Sequence, residues 1–173
     1  MFPSWEQILE LKYSNTPFKG LNLGEIYAIM CKFYFPGIIK HHSLKISLGY
    51  QYRNYGTYTY SDLIDLPRGA LTNETKEMKT LFLDYKMPLA YPDLSIPNFI
   101  YIKRIKANLF CDYAFYNDID KTKKYNSTGI ETTMDFHLFR FIAPFDAGLR
   151  ITYNSLNKHF STELLYQIKF DNL

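Results

Sequence analysis

Seven stretches of this chain alternate apolar and polar residues with a period of two, and all their charges lie on one side of the alternation. They are 27–33, 44–52, 80–87, 105–115, 130–137, 145–153 and 160–170, with a weaker eighth at 7–13. The plainest is the last, where Phe160, Thr162, Leu164, Tyr166, Ile168 and Phe170 alternate with Ser161, Glu163, Leu165, Gln167 and Lys169. Successive side chains of a strand point to opposite faces, whereas a helix repeats every ~3.6 residues. The polar parity carries six cations (Lys32, Lys45, Lys86, Lys106, Arg150, Lys169) and six anions (Asp84, Asp112, Glu131, Asp135, Asp146, Glu163). The apolar parity carries no charge. Such a chain is constrained to a sheet with one apolar and one charged face.

Punctuation agrees with strands. The eight prolines fall between the predicted stretches, as ladder hydrogen bonding asks, while Gly49, Gly129 and Gly148 sit inside them on the polar parity. Connectors at 36–43, 138–144 and 154–159 are short enough for hairpins. The expected fold is all-β, an antiparallel up-and-down meander of about eight strands. No linker-like tract divides the 173 residues, so a single domain over 1–173 is expected.

Composition removes several classes. No apolar run approaches the ~18 residues of a membrane-spanning helix. A net charge of +3, from 20 basic and 17 acidic residues, is too balanced for a nucleic-acid footprint. Cys31 and Cys111 are too few for a disulfide framework, lack metal-ligand spacing, and fall on the apolar parity of non-neighbouring strands. Free outward thiols are expected, and no cofactor is implied. The opening Met1-Phe2-Pro3-Ser4 has neither the basic nor the apolar region of a secretory signal.

Periodicity alone admits two facings. In a soluble sandwich or barrel the apolar face turns inward, around an apolar ligand where one is bound; in an outer-membrane barrel it meets lipid and the charged face lines the lumen. Three features favour the membrane. The stripes run about 7–11 residues, near the length of a membrane-spanning strand. Aromatic residues, 18% of the chain, gather at stripe ends (Tyr27, Phe33, Tyr50, Tyr52, Tyr113, Phe115, Phe145, Tyr153, Phe160, Phe170), where aromatic girdles form. The charged face is balanced, as a tight lumen of paired charges requires. A transmembrane β-barrel, or part of a larger one, is expected.

Two sets of phrases carry a family likeness. One is Phe35-Pro36-Gly37 leading to His41-His42-Ser43-Leu44-Lys45 and Gly49-Tyr50-Gln51. The other is Tyr91-Pro92-Asp93-Leu94, then Tyr101-Ile102-Lys103-Arg104-Ile105 and Asn108-Leu109-Phe110-Cys111-Asp112-Tyr113. With the opening Phe2-Pro3-Ser4-Trp5-Glu6-Gln7, the chain resembles the C-terminal outer-membrane β-barrel region of Bacteroidetes-type surface proteins. That resemblance implies an outer-membrane location, lipid as neighbour, and a parent protein supplying earlier strands or a β-propeller. It carries no catalytic residues across. The chain then reads as a fragment of a longer barrel, a non-enzymatic anchor or part of a pore.

Candidate chemistry is sparse. Ser155-Leu156-Asn157-Lys158 matches S-x-x-K without its partner motifs and falls in a predicted hairpin turn. His41-His42 lacks the spacing of a helical zinc pair. The sequons at 73–75 and 126–128 are expected as polar loops. One dense ionisable cluster stands out on the polar parity: Glu131, Asp135, His137, Asp146, Arg150 and Glu163. It reads as a structural ion-pair network, with a relay or selectivity lining as its functional alternative. A lipid-modifying enzyme would need a Ser/His/acid set near lipid, and the apolar parity offers no His, Asp or Glu. The last hairpin, centred near 156–157, places Arg150 opposite Glu163 and Thr152 opposite Ser161. The long 53–79 connection is expected as an exposed outer loop.

Overall fold

The computed structural model describes residues 5–16, 24–56, 58–70, 75–97, 99–118, 122–138 and 145–168. Among them are nine strands: β1 (Glu6–Asn15), β2 (Gly24–Pro36), β3 (Ser43–Tyr55), β4 (Glu77–Ala90), β5 (Leu94–Ile96), β6 (Ile100–Asn117), β7 (Thr122–Leu138), β8 (Phe145–Asn154) and β9 (His159–Ile168). No helix occurs among the described residues. Eight strands pair in chain order, all antiparallel, from β1 to β9, and the three-residue β5 pairs beside them with β6. The meander is therefore as the alternation predicts, with β5 added. Lys169 and Phe170 lie outside the described residues.

Two details depart from the predicted punctuation. Pro36 closes β2, and Pro88 lies inside β4 where the register with β6 shifts between Pro88 and Ala90. The bulge leaves Leu89 without a ladder partner while Pro88, at its rim, still stands opposite Lys106, so the proline without an N–H falls where the ladder is already interrupted. A second shift, between Ile102 and Arg104, resets the facing at the start of β6. The 126–128 sequon is not a loop. It lies within β7, with Ser127 buried. Residues 73 and 74 lie outside the described set.

The charged face is the buried one. Asp84 and Asp112 are 3% and 0% exposed, while Leu48 and Ile151 on the opposite face are each 44% exposed. The apolar parity looks outward along Tyr27, Ile29, Leu48, Leu109, Tyr113, Ile130 and Leu149; Ala107 and Phe136 are buried exceptions. Both cysteines are free, as expected. On the outward face, Tyr27 stacks on Tyr52 at 5.3 Å and Tyr153 contacts Phe160 at 4.9 Å, towards one end of the strands. Towards the other, Trp5 meets Phe35 edge-on at 5.5 Å, and the buried Phe136 stacks on Phe145 at 5.8 Å.

What buries the charged face is the β3–β4 connection. It does not project as an outer loop; its described part, 58–70, folds back over the sheet. Apolar residues drive this return. Ile64 is buried among Ala28, Met30, Met78, Ala114, Tyr116 and Tyr125, with Leu63, Leu66 and Ala70 packed beside it. The same segment reaches both edges of the sheet: Lys12 Nζ donates to the Leu63 carbonyl at 3.4 Å, and Gly69 lies beside Ser161 of β9. Eight flat strands would span ~34 Å at about 4.8 Å per step. Residues 63–69 can cover no more than ~22 Å. The sheet must therefore curl around the segment, although β1 and β9 do not pair with each other.

Gly129 shows how tightly the concave face is packed. A Cβ there would lie 2.6 Å from Phe110 Cζ and 2.1 Å from the Ile151 carbonyl oxygen, so the Phe110 ring occupies the space a side chain would need. Gly129→Ala is expected to lower stability by about 1–3 kcal/mol, the range for overpacking. A urea midpoint would show it, and an unchanged midpoint would refute this packing.

Candidate functional site

The site is centred on Arg68, which the 58–70 segment delivers to the concave face. Pro67 and Gly69 flank it, and Gly69 adopts φ +74°, a conformation that side-chain-bearing residues rarely hold. The turn is closed by the Ala70 N–H donating to the Pro67 carbonyl at 3.1 Å. This local geometry aims the guanidinium at three neighbouring strands. It donates to Asp84 Oδ1 of β4 at 2.6 Å, approaches Asp112 Oδ2 of β6 at 3.2 Å, and donates to Glu131 Oε1 of β7 at 3.4 Å. Its Cζ lies 4.0 Å from the centroid of the Phe110 ring. The Arg68 N–H also donates to Asp112 Oδ2 at 2.9 Å, and Tyr125 Oη donates to the Arg68 carbonyl at 3.1 Å.

A second anchor holds the segment nearer its start. Gln51 Nε2 and Arg53 Nη2 of β3 each donate to Asp62 Oδ1 at 2.7 Å, and the Leu63 N–H donates to Gln51 Oε1 at 2.6 Å. Gln51 and Arg53 are fully buried. Burying side chains of this size and polarity is costly unless most of their hydrogen-bonding groups find partners, as Asp62, the Leu63 N–H and the Thr75 carbonyl provide here.

From Arg68 the network continues across the sheet. Lys45 lies 3.7 Å from Asp84, and Asn108 Nδ2 donates to both Asp84 (2.8 Å) and Glu131 (3.0 Å). Arg150 then donates to Glu131 at 2.7 Å and to Glu163 at 2.8 Å. Arg150 is paired with Glu163 and Thr152 with Ser161 in the β8–β9 register, as the hairpin centre predicts. A separate group forms below it, where Asp135 takes ion pairs from Arg104 and Lys106, and Lys106 also meets Asp146 at 3.4 Å.

The sequence-derived cluster thus divides. Glu131, Arg150 and Glu163 share one network, Asp135 and Asp146 share another, and His137 instead stacks on Tyr101 at 6.2 Å. Missing from the sequence reading were Arg68, which makes the centre, and the pairing of Asp84 and Asp112 with it. The available signal was the apolar run Leu63-Ile64 and Leu66-Pro67 inside a connection otherwise read as polar. Apolar residues in a long loop need a surface to cover.

Beside the network lies a cavity of about 470 Å³, lined by Lys86, Lys106, Asn108, Glu131, Asp146 and Arg150 among others. Its charges are of both signs. Ser155–Lys158 form the exposed β8–β9 turn, and His42 pairs through Nδ1 with Tyr85 Oη at 2.9 Å. Among the described residues, no group of three His, Cys, Asp or Glu is arranged to hold a metal ion. Comparison with protein-family profiles, curated proteins and solved structures returned no match for the chain.

Substitutions at Arg68 and Arg150 test this arrangement. Arg68→Ala leaves Asp84 and Asp112 buried without their main cation, which should cost about 3–5 kcal/mol. Limited proteolysis should then cleave within 58–70, where the parent chain is expected to resist; Arg68→Lys, lacking the planar fork, should restore protection only in part. Arg150→Ala should cost about 3 kcal/mol by denaturant midpoint, against under ~1 for Lys79→Ala in its exposed pair with Glu77. Equal effects would contradict the enclosed character of the Arg150 network.

Proposed function

We propose that this chain is a non-enzymatic β-barrel segment of an outer membrane, its apolar face against lipid and its charged face turned to the barrel interior. One observation carries the reading. The facing is the reverse of a water-soluble sheet, with ion-paired carboxylates buried and leucines, isoleucines and tyrosines exposed on the other side. In lipid that exposure costs nothing, whereas in water a contiguous apolar face of this kind is a liability. The outward aromatic contacts near both ends of the strands, Tyr27–Tyr52 and Tyr153–Phe160 at one and Trp5–Phe35 at the other, suit the two girdles of such a barrel, with the aliphatic band between them. The soluble alternative needs an apolar cavity for its ligand, whereas the cavity on the concave face is lined by Lys86, Lys106, Glu131, Asp146 and Arg150. Between anchor and open pore, the packed 58–70 segment favours the anchor, since it occupies the space a conduit would use.

The native cysteines provide the test. Cys31 and Cys111 face outward in the apolar band, so an environment-sensitive fluorophore attached to either should emit at short wavelength in vesicles. Nitroxide-labelled lipid should quench it and aqueous iodide should not. Strong iodide quenching at both positions would sink the lipid-facing assignment.

A further inference from the structure

β1 and β9 form the edges of the sheet, each ten residues long and each with one side of its backbone outside the ladder. Neither contains a proline or a bulge, devices that blunt exposed edges. Their outward residues are also barer than those of the central strands, with Leu11 at 70% and Leu164 at 86%. Within lipid, unpaired backbone groups cost several kcal/mol each, so something must pair with both edges. This step rests on the membrane reading above.

The two edges fit one another. The paired path has an even number of strands, so β9 runs antiparallel to β1. On β1 the even-numbered residues face inward, as Glu10 shows by pairing with Lys32; on β9 the odd-numbered ones do, as Glu163 shows by pairing with Arg150. Keeping inward residues inward leaves two registers of greatest overlap. In one, 6–14 against 159–167, Glu10 stands opposite Glu163. In the other, 7–15 against 160–168, Lys12 stands opposite Glu163, Ser14 opposite Ser161, and Leu11 opposite Leu164 on the outer face. Directly opposed like charges destabilise and opposite charges stabilise, so the second register is favoured. Lys12 and Glu163 both keep exposed side-chain surface for it, 45% and 39%.

The filling of the concave face argues against the chain meeting that fit with its own edges. An eight-stranded barrel has an interior that its own side chains fill or that holds one small ligand. Here the concave face holds a backbone segment, 58–70, and a cavity of about 470 Å³ besides. We propose that β9 of one copy pairs with β1 of a second copy, and β9 of the second with β1 of the first. Two eight-strand arcs related by a two-fold axis then close a barrel in the size range, about 16 strands, that has room inside for folded-back loops. Each copy brings its own Arg68-anchored segment to that interior. The partner is thus a second copy of this chain, recognised through Lys12, Glu163 and the leucines outside them.

Disulfide trapping in membranes tests this. In a Cys31→Ser, Cys111→Ser background, two differently tagged copies are co-expressed, one with Lys12→Cys and the other with Glu163→Cys, and then oxidised. The expected product is a linked species of twice the chain mass carrying both tags; Leu11→Cys with Leu164→Cys on the outer face should give the same result. Neither single-cysteine copy expressed alone should link. An intrachain bridge at monomer mass, from a single copy carrying both Lys12→Cys and Glu163→Cys, would overturn the proposal in favour of self-closure. Membrane-inserted chain that links in neither pair would overturn it too, leaving the edges to strands of another polypeptide while the membrane reading stands. Chain recovered folded in the soluble fraction would instead remove the membrane reading itself.

Discussion

Three carboxylates on three adjacent strands face the same side of this sheet, and Arg68 is the group that lets them do so. Asp84, Asp112 and Glu131 come from β4, β6 and β7, and two of them are almost fully buried. Without a cation among them, charges so close and so poorly solvated would repel, and some would have to take up protons. A lysine brings one compact charge; the guanidinium brings a planar fork of donors that serves several oxygens at once. Because Arg68 lies on the β3–β4 connection, balancing the sheet and folding the connection inward are one event. The curl of the sheet follows, since one short segment meets strands from β1 to β9.

That coupling marks the boundary of what the sequence makes legible. Strand positions, their order and the division of charge between two faces can be read from a local period of two, because each residue's face depends only on its neighbours along the strand. The Arg150–Glu163 opposition is equally local, set by the length of a four-residue turn. Arg68 belongs to a different kind of information. It meets Asp112, 44 residues away, and Glu131, 63 residues away, through a loop whose path no periodicity describes. The reading of 53–79 as an outer loop weighted its polar residues over Leu63, Ile64 and Leu66, and those three pack against the sheet. The proline at 88 eluded the pattern for a related reason: a bulge is a defect in periodicity, visible only once the partner strand is known.

The concave face also shows how a glycine and an aromatic ring can act as one unit. Gly129 and Phe110 are directly opposed in the β6–β7 ladder, and the ring takes the volume above the glycine. This leaves its upper face open to Arg68, where the negative potential of the π system adds to that of the carboxylates. A glycine on the polar parity of β7 therefore supports the cation from below.

The inverted facing changes which forces hold the fold together. In water, removing the outward leucines and isoleucines from solvent would be the main driving term; against lipid tails that term vanishes, because the tails are as apolar as the side chains. On the membrane reading proposed above, cohesion would then come from the backbone ladder and from contacts on the concave face. The ladder is continuous from β1 to β9 but ends at two edges. The concave contacts form a connected set, from Asp62 on Gln51 and Arg53, through Ile64 and Arg68, to Arg150 and Glu163. A conduit would need that set to open, and opening it would expose the buried carboxylates together with the apolar cluster around Ile64. The interactions that give the arc its shape are the same ones that fill it, which is why an anchoring role agrees with this interior better than a permanently open path.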